Sequence, residues 1–117
     1  MPHCLIEASA EVLQFISEDE LLRLVHEHIA ASGVCPPSDI KVRLSLYQHA
    51  YVAGEPGLFV HLICYVLSGR DEEQRRELSR RVVRALLERL PEVPALSMDV
   101  REMRRETFSN RRNCLEL

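Results

Sequence analysis
The sequence predicts an α+β fold of element order β-α-β-β-α-β: a four-stranded mixed sheet with two helices on one face. Two observations predict it. Four apolar segments with strand character are interrupted by two segments in which leucine, isoleucine and valine recur at helical spacing. The two halves of the chain also repeat one plan, strand, helix of similar length, strand, with a turn cluster between them. Each half is then a βαβ unit whose strands run parallel through a right-handed crossover, which lays both helices on the same face.

The first strand covers residues 3–8, the run His3-Cys4-Leu5-Ile6-Glu7-Ala8. The first helix opens at Ser17-Glu18-Asp19-Glu20, which fits a capping box: Ser17 accepts from a first-turn amide while Glu20 reaches back. Leu21, Leu24, Val25 and Ile29 form its apolar stripe, Gly33 stops it, and Pro36-Pro37 forbids continuation. The second strand, residues 40–48, alternates Ile40, Val42, Leu44 and Leu46 with Lys41, Arg43, Ser45 and Tyr47, so it has one wet face. Ala53-Gly54-Glu55-Pro56-Gly57 is a turn cluster. The third strand, residues 58–67, is almost continuously apolar, which predicts a central strand buried on both faces. Ser68-Gly69-Arg70-Asp71 links tightly into the second helix, whose first turn carries Asp71, Glu72 and Glu73 as the helix dipole prefers. Leu78, Val82, Leu86 and Leu90 are its buried stripe, Arg75, Arg76, Arg80, Arg81 and Arg84 point largely outward, and Pro91 and Pro94 end it. The fourth strand, residues 95–103, sets Leu96, Met98 and Val100 on one face, and residues 104–117 form a polar, basic tail of little periodicity.

A chain of 117 residues is long enough for one domain with a core, here residues 1–117, and 46% hydrophobic residues exclude a disordered chain. No apolar run approaches the roughly 20 residues that span a bilayer. The opening residues lack the charged and long apolar regions of a signal peptide, so a cytoplasmic location is expected. Cys4, Cys35, Cys64 and Cys114 are widely spaced with no C-x-x-C, which predicts free thiols in a reducing compartment, serving as small core residues. A net charge of −3 argues against nucleic acid, as do the acidic residues interleaved with the arginines of 75–84 and 101–112. His26 and His28 fall on a helix and His3, His49 and His61 in strands, with no ligand-spaced partners, so no metal is expected.

Pro2 carries the chemistry. Inside a chain a proline nitrogen is an amide with neither basicity nor a proton. Removal of an initiator Met1 turns it into a secondary amine. An α-amino group titrates near about 7.7–8.0, and burial lowers that toward neutrality. An amine at the head of a buried strand is therefore a general acid–base that no side chain supplies. Isomerising a dienol needs a proton taken from one atom and delivered to another, and one such base does both. A dicarboxylate substrate also needs cations that do not titrate. Arg70 is one, placed just before a helix N-terminus where free amides favour an anion.

This element order, with a proline directly after Met1, resembles the tautomerase superfamily and, within it, the 5-carboxymethyl-2-hydroxymuconate isomerase family. The stretches that match are Met1-Pro2-His3 with Ile6-Glu7, Ala30-Ala31-Ser32-Gly33, Ile40-Lys41-Val42-Arg43, Phe59-Val60-His61, Ser68-Gly69-Arg70 and Ala95-Leu96-Ser97, in this order across nearly the whole chain to Met103. The resemblance implies a tautomerase-like fold and a homotrimer wrapped around a central axis, with the N-terminal proline at the mouth of each pocket. It implies proton transfer between the dienol and keto forms of an unsaturated keto-diacid, with no cofactor. It also implies arginines that hold the substrate carboxylates. By position one of these is Arg70. The other falls on Lys41, which keeps the charge but lacks the fork that grips a carboxylate through two bonds. Arg43, two residues on and on the same face of the strand, is placed to compensate.

A second reading stands beside this one, because ferredoxin-like ligand-binding and regulatory modules share the same element order, and order alone does not give function. The sheet face opposite the helices carries alternating apolar residues and has no third helix to cover it, which predicts an oligomer. The tail, residues 104–117, is expected to pack on a neighbouring subunit.

Overall fold
The computed structural model describes residues 2–116. In chain order its strands are β1 (His3–Ser9), β2 (Lys41–Tyr47), β3 (Tyr51–Val52), β4 (Glu55–Pro56), β5 (Phe59–Leu67) and β6 (Ala95–Met103), and its helices α1 (Glu18–Ala31), α2 (Glu72–Arg89) and α3 (Arg111–Leu115). β2, β1, β5 and β6 form one sheet in that order. β1 and β2 are parallel with His3 opposite Lys41, and β5 and β6 are parallel with Phe59 opposite Ala95. The halves join through antiparallel β1 and β5, with Tyr65 opposite His3, which brings the end of β5 to the start of β1. The architecture is the expected mixed sheet with both long helices on one face.

Alternation decides which face that is. Cys4, Ile6 and Ala8 of β1 and Val60, Leu62, Cys64 and Val66 of β5 are buried, together with Leu21, Val25 and Ile29 of α1 and Leu78, Val82 and Leu86 of α2. Each such leucine, isoleucine or valine contributes about 1.5–3 kcal/mol by leaving water. Ser17 caps α1 as its spacing requires, accepting from the Glu20 amide at 3.1 Å. The other half of the expected box is corrected: the Glu20 carboxylate takes two hydrogen bonds from Arg89 of α2, at 2.6 and 3.0 Å, and ties the two helices together. α2 has the full reciprocal box instead, between Asp71 and Gln74. Gly33 follows α1 with φ +77°, a left-handed conformation that ends a helix at little cost to glycine.

Other expectations change. β5 is central, but its residues alternate between buried and half-buried, so in the single chain only its helix-facing side is buried. A strand wet on one face alternates in burial whatever its composition, and here composition concealed it. The open face is mixed rather than apolar. Leu5, Ile63, Phe59 and Leu67 lie among polar pairs: across strands Tyr47 donates to Glu7 at 2.7 Å and His61 meets Ser97 at 2.7 Å, and along β6 Arg101 donates to Asp99 at 2.9 Å. The turn cluster sits inside a small ladder, β3 against β4, with Ala53 and Gly54 both at positive φ in a two-residue turn. His49 lies in the bend before that ladder, not in a strand. Residues Ala10–Gln14 form a short 3₁₀ turn that no periodicity announced. Two cysteines, Cys4 and Cys64, are core residues, whereas Cys35 is half-buried and Cys114 exposed; all four are free thiols. The tail ends in the short helix α3, capped by Asn110.

Candidate active site
Because β5 returns antiparallel to β1, the residues singled out in the sequence collect at one end of the sheet. Pro2 precedes β1 and its side chain is fully buried. Its carbonyl accepts from the Lys41 amide at 3.0 Å, which sets the register of β1 on β2. Met1, on whose removal a free amine depends, lies outside the described residues.

Lys41 is opposite His3 and Arg43 opposite Leu5, so all four side chains stand on the open face of the sheet. The Lys41 ammonium donates to the Asp39 carbonyl at 2.9 Å. Arg43 is exposed and leans toward the Pro2 end, its Nη1 lying 3.1 Å from His3 Nδ1. Arginine only donates, so His3 accepts through an unprotonated Nδ1. Burial first, and then Arg43 and Lys41, hold the His3 imidazole below its ordinary 6.5, which favours that neutral form.

Arg70 is half-buried three residues beyond β5. Its Nη1 donates to the Leu67 carbonyl at 3.4 Å, and its Nη2 donates to the Val34 carbonyl, closing the loop after α1 onto the end of β5. It also lines a cavity of about 400 Å³ with Ser32, Gly33, Val34, Gln74 and Glu77. The described lining of that cavity includes neither Pro2, Lys41 nor Arg43. The expected cations are therefore at one end of the sheet but in two places: Arg70 beside the helix ends, and Lys41 with Arg43 on the open face. Cys35, in the loop that Arg70 closes, has its thiol pushed up by burial and is protonated at neutral pH. The residue overlooked in the sequence is His3. Its role depends on which residue of β2 stands opposite it, and the only local signal was its place next to Pro2.

The end of the sheet that holds the buried Pro2 also carries Lys41, Arg43 and Arg70, a concentration of positive charge suited to an anion. The chain matches the model of the family described as 5-carboxymethyl-2-hydroxymuconate isomerase over residues 2–116. No curated protein matches the sequence. Among solved structures it is similar to a 5-carboxymethyl-2-hydroxymuconate isomerase from Deinococcus radiodurans R1, with TM-score 0.81 and 23% identity over 94% of this chain and 88% of that one. It is similar to a fused 4-OT symmetric trimer, with TM-score 0.74 and 14% identity over 93% of each chain. A macrophage migration inhibitory factor-like protein from Entamoeba histolytica gives TM-score 0.70 and 14% identity over 93% of this chain and 94% of that one. At these identities the structural likeness shows the tautomerase fold. The family match extends from Pro2 through the tail and sets the non-catalytic module aside: the chain belongs to the 5-carboxymethyl-2-hydroxymuconate isomerase family and is an isomerase.

Proposed function
We propose that this isomerase is a cofactor-independent keto–enol tautomerase of an unsaturated 2-hydroxy or 2-keto carboxylic acid resembling 5-carboxymethyl-2-hydroxymuconate. Its general acid–base is the amine of Pro2, freed when Met1 is removed. The observation that carries the proposal is the full burial of Pro2 at the head of β1. A terminal amine there is drawn below its ordinary value by lost solvation and by the cations at that end of the sheet. The amine takes the enol O–H proton as the C–O bond becomes a carbonyl, the double bonds shift, and the resulting ammonium returns a proton to carbon. Arg70, Lys41 and Arg43 bind the carboxylates and offset the charge that develops on oxygen.

The working unit is a homotrimer in the cytoplasm. A sheet face without a covering layer, together with the trimeric state of the fused 4-OT structure, supports the assembly. The tail packs on a neighbouring subunit in this reading, and Leu115, 71% exposed on α3, favours that placement. Four free thiols suit a reducing compartment.

The test compares the native chain, its Met1 removal established by intact mass, with a variant carrying one extra residue before Pro2. Loss of the dienol is followed by ultraviolet absorbance. The extended variant has an amide at Pro2 and should be inactive while folded. Pro2→Ala leaves a primary amine in the same place and should keep part of the rate. A folded, extended variant that isomerises at the native rate would show that another residue is the base.

A further inference from the structure
Arg43 is exposed and makes no ion pair among the described residues, although Glu7 stands on the neighbouring strand in the same face. That carboxylate is already engaged, accepting from the Tyr47 hydroxyl at 2.7 Å. The partner that Arg43 does have is a neutral imidazole. Its Cα stands opposite Leu5, yet its guanidinium reaches back along the sheet to His3, one pair closer to Pro2 and directly across from Lys41. The half-buried His3 ring thus draws a long, flexible cation toward a second cation, against their mutual repulsion. A carboxylate, with two oxygens, is the anion whose shape fits a guanidinium held beside an ammonium.

We propose that His3 is a positioning residue: its unprotonated Nδ1 holds the Arg43 guanidinium at the Pro2 end of the open face, where Arg43 and Lys41 together receive the second carboxylate of a dicarboxylate substrate. The choice of a dicarboxylate rests on the functional reading above. Specificity for a diacid over the corresponding monoacid then lies in strands β1 and β2, separate from Arg70 at the helix ends. A hydrogen bond that orients a charged group without itself touching the ligand is worth little until the ligand arrives. Its loss therefore weakens binding and leaves the proton transfer at Pro2 alone.

The experiment measures binding by calorimetry with two unreactive probes that share a carbon skeleton, muconate with two carboxylates and sorbate with one. The native chain should bind muconate more tightly than sorbate. His3→Ala should weaken muconate about 3- to 10-fold and leave sorbate unchanged. His3→Asn, whose amide oxygen accepts near the Nδ1 position, should restore muconate binding to within about 2-fold of native. In an Arg43→Ala background, His3→Ala should have no further effect on muconate. Equal native affinity for the two probes would overturn the proposal. So would a His3→Ala effect that persists without Arg43, or one that falls equally on sorbate, since either is what a merely structural role produces. Turnover is read separately. A chain that binds muconate through His3 and Arg43 but isomerises no dienol would refute the tautomerase reading and leave this one standing.

Discussion
Arg70 does two jobs with one guanidinium. It closes the loop after α1 by donating to the Val34 and Leu67 carbonyls, and in the proposed function it meets a substrate carboxylate. Arg70→Ala removes a charge-assisted contact of roughly 1.5–3 kcal/mol, so kcat/KM should fall about 10- to 150-fold. Arg70→Lys keeps the charge but cannot bridge two carbonyls with a planar fork, and should recover only part of the loss. Steady-state kinetics on the dienol checks both, and an unchanged kcat/KM for the alanine variant would leave Arg70 with its loop contact alone. At this scale, the places of Pro2 before β1 and of Arg70 before α2 were legible because they depend on local sequence alone. The contact of Arg43 with His3 was not. It joins residues 40 apart in sequence, and a shift of one position in the pairing of β1 with β2 would remove it.

Among the elements, α2 shows what local chemistry writes plainly. Asp71 and Gln74 form its capping box, and Leu78, Val82 and Leu86 recur on the face that meets the sheet. Leu78 is 1% exposed, so Leu78→Ala should cost about 2–5 kcal/mol, measured by urea unfolding. A loss below about 1 kcal/mol would mean that α2 is not seated on the sheet as described. The same local rules placed Ser17 before α1, Gly33 after it, and the limits of β6 at residues 95 and 103. They failed where a partner distant in sequence decides. Glu20 follows a capping-box pattern, but Arg89, 69 residues away, offers it a charged double donor. The hairpin of β3 and β4 is too short to show alternation, and its turn places Ala53 at φ 56°, a conformation for which the sequence signal is normally Asn or Gly. The near-continuous apolar run of β5 looked doubly buried because composition reports what a strand tolerates, and in one chain only one side is covered.

For the whole molecule, the sheet leaves two kinds of unfinished surface. β2 and β6 are edge strands with unpaired backbone groups, and the open face sets half-buried Leu5 and Ile63, which are register partners, between polar rows. Among the described residues no helix layer like the one on the opposite face covers it, and residues 104–116 supply only a 3₁₀ turn and the exposed α3. Other copies of the chain are the simplest cover, since a closed ring satisfies identical edges and faces at once. The mixed character of the face suits such an interface better than a core: its polar pairs are already satisfied within one chain, and the Leu5–Ile63 centre provides the apolar contact. The proposed homotrimer should appear in light scattering as three times the mass of one chain at micromolar concentration. Ile63→Arg puts a charge at the centre of the face without touching the helix-side core, so it should give a folded monomer with native helix content by circular dichroism. If Pro2 works in a pocket completed by a neighbouring copy, that monomer should also lose most of its isomerase rate. A native chain that stays monomeric at these concentrations would rule out the trimer. A monomeric Ile63→Arg variant with native activity would instead show that each chain carries its whole active site.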